Sequence, residues 1–493
     1  MQNPSFQEDH SSQIPALQLF IKMGYTYLSP EKALQLREGK SANVLLEPIL
    51  RGQLHKINTA KVSSQREVSF SENSIEQAIL VLKNVAMVDG FSATAQRIYE
   101  LLTLGFSVEQ NVEGNKKTFD INFIDWQNIN SNQFHVTEEF SVQRTGRKDH
   151  YRPDIVLFVN GIPLGVIECK RPDVKNALSE AISQNLRNQQ EDGIRQLFIY
   201  AQVVMSISGN AGSYATTGTK EKFWAKWLEK FSNKSEEKSY QEKLFQLKNK
   251  KLSAKENQVL FADRYKYIKT FFEELEKEQI QPTKQDEYLF NLLHPERLLD
   301  LSHNFILFDN GDKKIARYQQ FFAIKKAMRQ ITQPLEKQNQ ARTGGVVWHT
   351  QGSGKSLTMV MLAQAIAMHP EISNPKIILV TDRTDLDKQI TKTFEKCGHT
   401  VQNAKSGSKL ANLLKSKSDA VVTTIINKFE TAVRKISQPL QSNNIFVLVD
   451  EGHRTQHGIF NIEMQKSLPN ACFIAFTGTP LFKNLNSTNK CNF

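Results

Sequence analysis

Residues 346–356 read Val346-Val347-Trp348-His349-Thr350-Gln351-Gly352-Ser353-Gly354-Lys355-Ser356. A short apolar run enters a glycine loop, and an apolar segment over 357–368 leaves it, stopping at His369-Pro370. Strand, glycine loop and helix in that order make a phosphate cradle, because loop N–H groups and the helix N-terminus all face the anion. Gly352 and Gly354, with Ser353 between them, let the backbone approach the ligand closely. Lys355 is expected to reach the β- and γ-phosphates of a nucleotide, and Ser356 to ligate Mg2+. The match to GxxxxGK[ST] is incomplete, since His349 stands where the first glycine belongs.

The surroundings of this loop extend the reading. Apolar runs at 345–348, 376–381, 420–424, 445–449 and 472–476 alternate with helical stretches, which predicts an α/β domain built on a parallel sheet. The run Ile445-Phe446-Val447-Leu448-Val449 reads as a buried central strand and ends on Asp450-Glu451. Ligands of such sheets bind at the C-terminal edge of the strands. Asp450 is therefore expected to hold Mg2+, mostly through water, and Glu451 to position the attacking water.

A second constellation lies earlier in the chain. Two apolar runs, 155–159 and 162–167, flank Asn160-Gly161, and such a pair between strands signals a hairpin because both turn residues need positive φ. Asp154 opens the first run and Glu168-Cys169-Lys170 closes the second. Residues i and i+2 of a strand share a face. Glu168 and Lys170 then point one way, Cys169 the other, and the hairpin folds Asp154 toward them. Two carboxylates and a lysine suit phosphodiester hydrolysis: Asp154 and Glu168 as Mg2+ ligands, Lys170 positioning water or stabilising developing charge. Arg152 and Arg171 flank the pair as candidate phosphate contacts.

Composition frames both sites. The 493 residues carry 63 Lys plus Arg against 51 Asp plus Glu, a net charge of +12 that suits a polyanionic partner. The 4 cysteines stand singly, which excludes a disulfide scaffold or a cysteine zinc site and fits a reducing compartment. No apolar run reaches a membrane span and the polar first residues do not read as a signal peptide, so no membrane partner and a cytoplasmic location are expected. Helical patterns are expected over 13–22, 74–102 and 173–190, and strands around 134–142 and 196–204. Residues 228–285 are dense in Lys, Glu, Gln and Asn and read as exposed joining helices. Three domains follow: 1–230, a charged helical linker over 231–304, and 305–493. Lys220, in a Thr- and Gly-rich run, reads as a solvent-exposed lysine.

The motifs carry a resemblance. Asp450-Glu451-Gly452-His453, Phe476-Thr477-Gly478-Thr479-Pro480, Thr381-Asp382-Arg383-Thr384-Asp385 and Val422-Thr423-Thr424 resemble, in order, those of superfamily 2 helicases and translocases. Arg317-Tyr318-Gln319-Gln320 resembles that group's glutamine motif, which implies Gln320 as an adenine reader. The run from Arg152 to Lys170 closely resembles the nuclease core of type I restriction endonuclease R subunits (HsdR-like). The resemblance implies a PD-(D/E)xK nuclease-like α/β domain followed by a RecA-like parallel-sheet motor. It also implies ATP and Mg2+ as cofactors, double-stranded DNA as substrate, and the methyltransferase (M) and specificity (S) subunits as partners. ATP-driven DNA translocation would precede cleavage. The family carries a Q-x-x-x-Y element on the next helix; Gln184 keeps the glutamine as a candidate catalytic residue, but Asn188 replaces the tyrosine. The family's second RecA-like domain and C-terminal helical region find no counterpart here, so weak or no ATPase of this chain alone is expected. The alternative is a non-cleaving, DNA- and ATP-binding fragment or inactive remnant.

Overall fold

A computed structural model describes residues 9–63, 66–85, 89–112, 114–173, 175–333, 341–348, 354–381, 391, 394–395, 400–404, 406–416, 420–436, 438–450, 466–478 and 491–492. The chain divides into two compact units, one comprising residues 1–306 and 311–315, the other 307–310 and 316–493.

The first unit is built on a six-stranded mixed sheet. Its spatial order is Thr26–Leu28, Phe134–Glu138, Ile155–Val159, Ile162–Lys170, Val203–Ser208, Ala211–Ala215. The two hairpin strands are antiparallel, with Ile155 opposite Ile167, and Ile162–Lys170 then runs parallel to Val203–Ser208. Every residue of Ile155–Val159 is buried, as the continuous apolar run requires of a central strand. The Asn160-Gly161 turn forms as expected, with φ of 51° and 81°. Asn160 does more than turn: it is fully buried and donates to Phe123 O and Asn132 Oδ1. Gly161 is needed twice over, because a Cβ there would sit 2.6 Å from Leu46 O. The helix Ala177–Asn188 packs across the Ile162–Lys170 and Val203–Ser208 strands.

Three expectations are corrected in this unit. The strand expected over 196–204 is a helical turn, Arg195–Phe198, followed by the strand Val203–Ser208. Leu197, Phe198, Ile199 and Tyr200 are all buried, and a short run buried on every side carries no period to separate helix from strand. The helical stretch 74–102 is two helices, Glu72–Lys83 and Phe91–Leu104, the second entered through Gly90 at φ 89°. The helices of the charged segment, Lys234–Asn249, Ala254–Leu260, Lys266–Leu275, Lys284–Leu293 and Pro295–Asn304, belong to the first unit rather than bridging two bodies. Lys284–Leu293 buries Leu289, Leu292 and Leu293 and packs on Ile14–Lys22. Most of their charge faces outward, but Gln285, Asp286 and Asn291 are buried, with Asp286 paired to Lys248 at 2.9 Å.

The second unit is a seven-stranded, wholly parallel sheet in the order Val401–Asn403, Ala420–Ile425, Lys376–Thr381, Ile445–Asp450, Cys472–Thr477, Gly345–Trp348, Cys491–Asn492. The five strands read from the sequence form within one residue of their expected ends; Val401–Asn403 and Cys491–Asn492 are additional. The helix after the glycine loop, Lys355–Ala367, is buried along most of its length. A parallel sheet with helices between its strands is the architecture of a RecA-like motor domain.

Candidate functional site

The hairpin brings the expected triad together. Asp154 is 7% exposed and Glu168 is fully buried. Asp154 Oδ2 accepts the Cys169 N–H at 2.6 Å, which fixes the first carboxylate against the strand that carries the second. Glu168 Oε1 accepts from Asn188 Nδ2 at 3.0 Å. Glu168 Oε2 is buried without a hydrogen-bond partner. Burial raises the Glu168 carboxyl well above the carboxylate range, and the neighbouring Asp154 carboxylate raises it further, against the opposing pull of Lys170. Lys170 reaches back to its neighbour's carbonyl, Nζ donating to Cys169 O at 2.8 Å. Cys169 is buried on the opposite face, as the two-residue period demands.

A buried carboxyl oxygen with no hydrogen-bond partner costs about 1–3 kcal/mol. A divalent cation held by Asp154 and Glu168 would remove that cost and lower the Glu168 carboxyl back into its charged range. Among the described residues no group of three or more His, Cys, Asp and Glu side chains is placed to hold a metal ion. The site thus offers two carboxylates, the donor set of a hard ion that keeps several waters, as Mg2+ does.

Supporting contacts come from far along the chain. Gln13 Nε2 donates to Asp154 O at 3.1 Å and to Glu138 Oε2 at 3.3 Å. Glu138 is itself clamped by Tyr27 and Arg264. Glu139, at φ 46°, donates its N–H to the same Asp154 carbonyl. Gln184 is half-buried, one helical turn before Asn188. Arg152 is exposed, Arg171 lies 3.3 Å from Asp173, and Lys220 is exposed. Gln13 and Glu139 were not singled out from sequence, and Asn188 was noted only as the replacement for a tyrosine, not as a contact of Glu168. Only Asn188 left a signal, through its spacing from Gln184.

On the parallel sheet, the described part of the phosphate loop is Gly354-Lys355-Ser356. Gly354 adopts φ 90°. Its carbonyl accepts from Thr358 N at 3.0 Å, Thr358 Oγ1 at 3.1 Å and Gln320 Nε2 at 3.3 Å. Lys355 Nζ lies 2.7 Å from Asp450 Oδ1, with the lysine side chain 22% and the aspartate 5% exposed. The phosphate-loop lysine and the strand-end aspartate are thus brought together as their motifs require. Gln320 is buried, and both ends of its amide are engaged. Its oxygen accepts the Arg317 N–H at 2.9 Å and its nitrogen donates to Gly354 O and Thr358 Oγ1. An adenine base read by Gln320 would have to displace one of these partners. Gly352, Ser353 and Glu451 lie outside the described residues, as do residues 382–389 and Thr479-Pro480.

An acid pair with a lysine on a hairpin, joined in one chain to a RecA-like phosphate-loop sheet, defines a nuclease-like domain coupled to a motor domain. Comparison with known families gives the same division. Residues 5–223 match the type I restriction enzyme R protein N terminus, and residues 319–493 match the SWI2/SNF2 ATPase domain. The chain is 30% identical over 414 residues to MjaIXP, a type I restriction endonuclease subunit of Methanocaldococcus jannaschii, covering 82% of this chain and 37% of the relative. It is 29% identical over 497 residues to the type I restriction enzyme HindI endonuclease subunit of Haemophilus influenzae, covering 94% of this chain and 42% of the relative. The protein is HsdR-like, and it spans less than half the length of these relatives. Among solved structures, the UvsW helicase of bacteriophage T4 aligns with 38% of this chain and 60% of its own at 17% identity, with a TM-score of 0.27. Among the described residues no helix is long and apolar enough to cross a membrane.

Proposed function

We propose that the chain contributes the nuclease site and the first motor domain of a type I restriction R subunit. The nuclease site would be Asp154, Glu168 and Lys170, with Gln184 of the Ala177–Asn188 helix as a further candidate. Asp154 and Glu168 would hold Mg2+; when bound, the ion supplies Lewis acidity and a hydroxide at neutral pH. Lys170 would supply the cation that stabilises charge developing on the phosphate. Lys355, Ser356 and Asp450 would bind ATP and Mg2+, with Gly352, Ser353 and Gly354 lining the phosphates, Glu451 positioning water and Gln320 at the base. In this reading ATP drives translocation along double-stranded DNA, the M and S subunits supply recognition, and the system works in the cytoplasm.

The observation that carries the reading is the pair of buried carboxylates beside Lys170, one oxygen of which has no partner. Nicking of a supercoiled plasmid in Mg2+ tests it, with Asp154→Ala and Lys170→Ala alongside, each with and without ATP. Nicking by the parent chain and by neither variant supports the hairpin as a nuclease. A folded chain that binds ATP and DNA yet never nicks supports the alternative of a non-cleaving fragment.

A further inference from the structure

The residue at the position of the missing tyrosine is not an idle replacement. Asn188 is the last residue of the Ala177–Asn188 helix and is 2% exposed. Its amide is aimed across the sheet at Glu168 Oε1, 3.0 Å away. The helix end is anchored so that this aim is fixed. Asn188 O accepts the Ile194 N–H at 2.8 Å, and Gly193 passes so close that a Cβ on it would lie 2.4 Å from Asn188 O. One turn earlier Asn185, also buried, donates to Met205 O and Ser206 Oγ. Residues three apart share a helix face, so two amides of one helix address two adjacent strands. Ser206 is the register partner of Glu168. One amide therefore holds the backbone of the neighbouring strand, and the other holds the carboxylate itself.

A carboxylate on a rotatable stem presents either oxygen to a metal. Here Asn188 occupies one oxygen and leaves the other without a partner. We propose that Asn188 is a positioning residue of the hairpin site, which fixes the Glu168 carboxylate so that Oε2 is the oxygen offered to a divalent cation. This rests on the reading of Asp154 and Glu168 as metal ligands. Partners that orient metal ligands typically change metal affinity about 10–100-fold when removed.

The test uses Mn2+ binding to the full chain, followed by electron paramagnetic resonance, in the parent protein and in Asp154→Asn, Asn188→Ala, Asn188→Leu and Asn185→Ala. The expected result is a site lost in Asp154→Asn and weakened about tenfold or more in both Asn188 variants. Asn185→Ala, which removes an equally buried amide from the same helix, should bind Mn2+ as the parent does. Thermal melts report packing losses, which the two helix positions share. Equal Mn2+ affinity in the parent and both Asn188 variants overturns the role of Asn188 while leaving the hairpin reading intact. Equal weakening in the Asn185 and Asn188 variants reduces Asn188 to packing and overturns the proposal as well. A parent chain whose Mn2+ binding is unchanged by Asp154→Asn overturns the hairpin reading and the proposal with it.

Discussion

Two buried ionisable side chains give opposite slopes of stability against pH. Glu168 has its folded value raised by burial and by Asp154. A raised carboxyl contributes stability below its unfolded value near 4.5 that disappears as pH rises through the folded value. Metal-free protein should therefore lose stability on going from pH 5 to pH 8 more steeply than Glu168→Gln does, as urea melts at several pH values will measure. Lys313 behaves in reverse. It is buried, donates to Ala201 O at 2.9 Å, and burial lowers it from 10.5 to about 7. Between those values the unfolded chain binds the extra proton, so stability contributed at this position rises with pH across that window. Lys313→Met should stabilise the protein by on the order of 1–3 kcal/mol at pH 6 and flatten the slope above neutrality. Equal denaturation midpoints for Lys313→Met and parent at pH 6 would contradict it. The acid pair was legible because a strand's two-residue period and an Asn-Gly turn place side chains without help from the rest of the fold. Asn188 and Gln13 were not. Gln13 stands 141 positions before the carbonyl it binds, and only the finished sheet brings the two together.

Strands and helices fail or form for local reasons that single substitutions expose. Gly344, just ahead of the Gly345–Trp348 strand, leaves no room for a side chain: a Cβ would lie 2.0 Å from Phe473 O. Both atoms are backbone or bonded to it, so neither can swing aside. Gly344→Ala is expected to destabilise the parallel sheet by about 1–3 kcal/mol or more, seen as a lowered denaturation midpoint of the C-terminal unit. The Phe134–Glu138 strand ends in a buried polar cluster. The side chains of Arg264 and Glu138 are 15% and 10% exposed, and Tyr27 and Gln13 complete the group. Arg264→Leu strips the cation from a buried acid and should cost about 3–5 kcal/mol in chemical denaturation, far beyond an exposed ion pair. The parallel strands were readable because strands buried on both faces appear as plain apolar runs. The edge strands Thr26–Leu28 and Ala211–Ala215 were not, being short and holding Gly212 and Ser213 in place of branched residues.

At the scale of the whole molecule, the two sites sit in separate compact units. Their losses should therefore add without coupling in the isolated chain. Lys355→Ala is expected to weaken ATP binding at least tenfold in an equilibrium dialysis assay and to leave Mg2+-dependent nicking unchanged. Asp154→Ala should do the converse. The fold class and the order of the two domains were visible from sequence because each rests on a local strand-and-turn signature. The allegiance of the helices over 234–304 was not, since their charged faces conceal which apolar stripe is covered. The strand leading into the phosphate loop has a neighbour that is made late. Gly345–Trp348 pairs with Cys472–Thr477, and Trp348 Nε1 donates to Gly478 O across 130 positions of chain. At about 5–20 residues per second, a ribosome needs about 7–26 s to supply that neighbour. Through that interval the Gly345–Trp348 strand has no neighbour to pair with, although other strands of its sheet are already made. A nascent chain acquires the hairpin of Ile155–Val159 and Ile162–Lys170, whose strands are adjacent in sequence, well before Gly345–Trp348 has a strand to pair with.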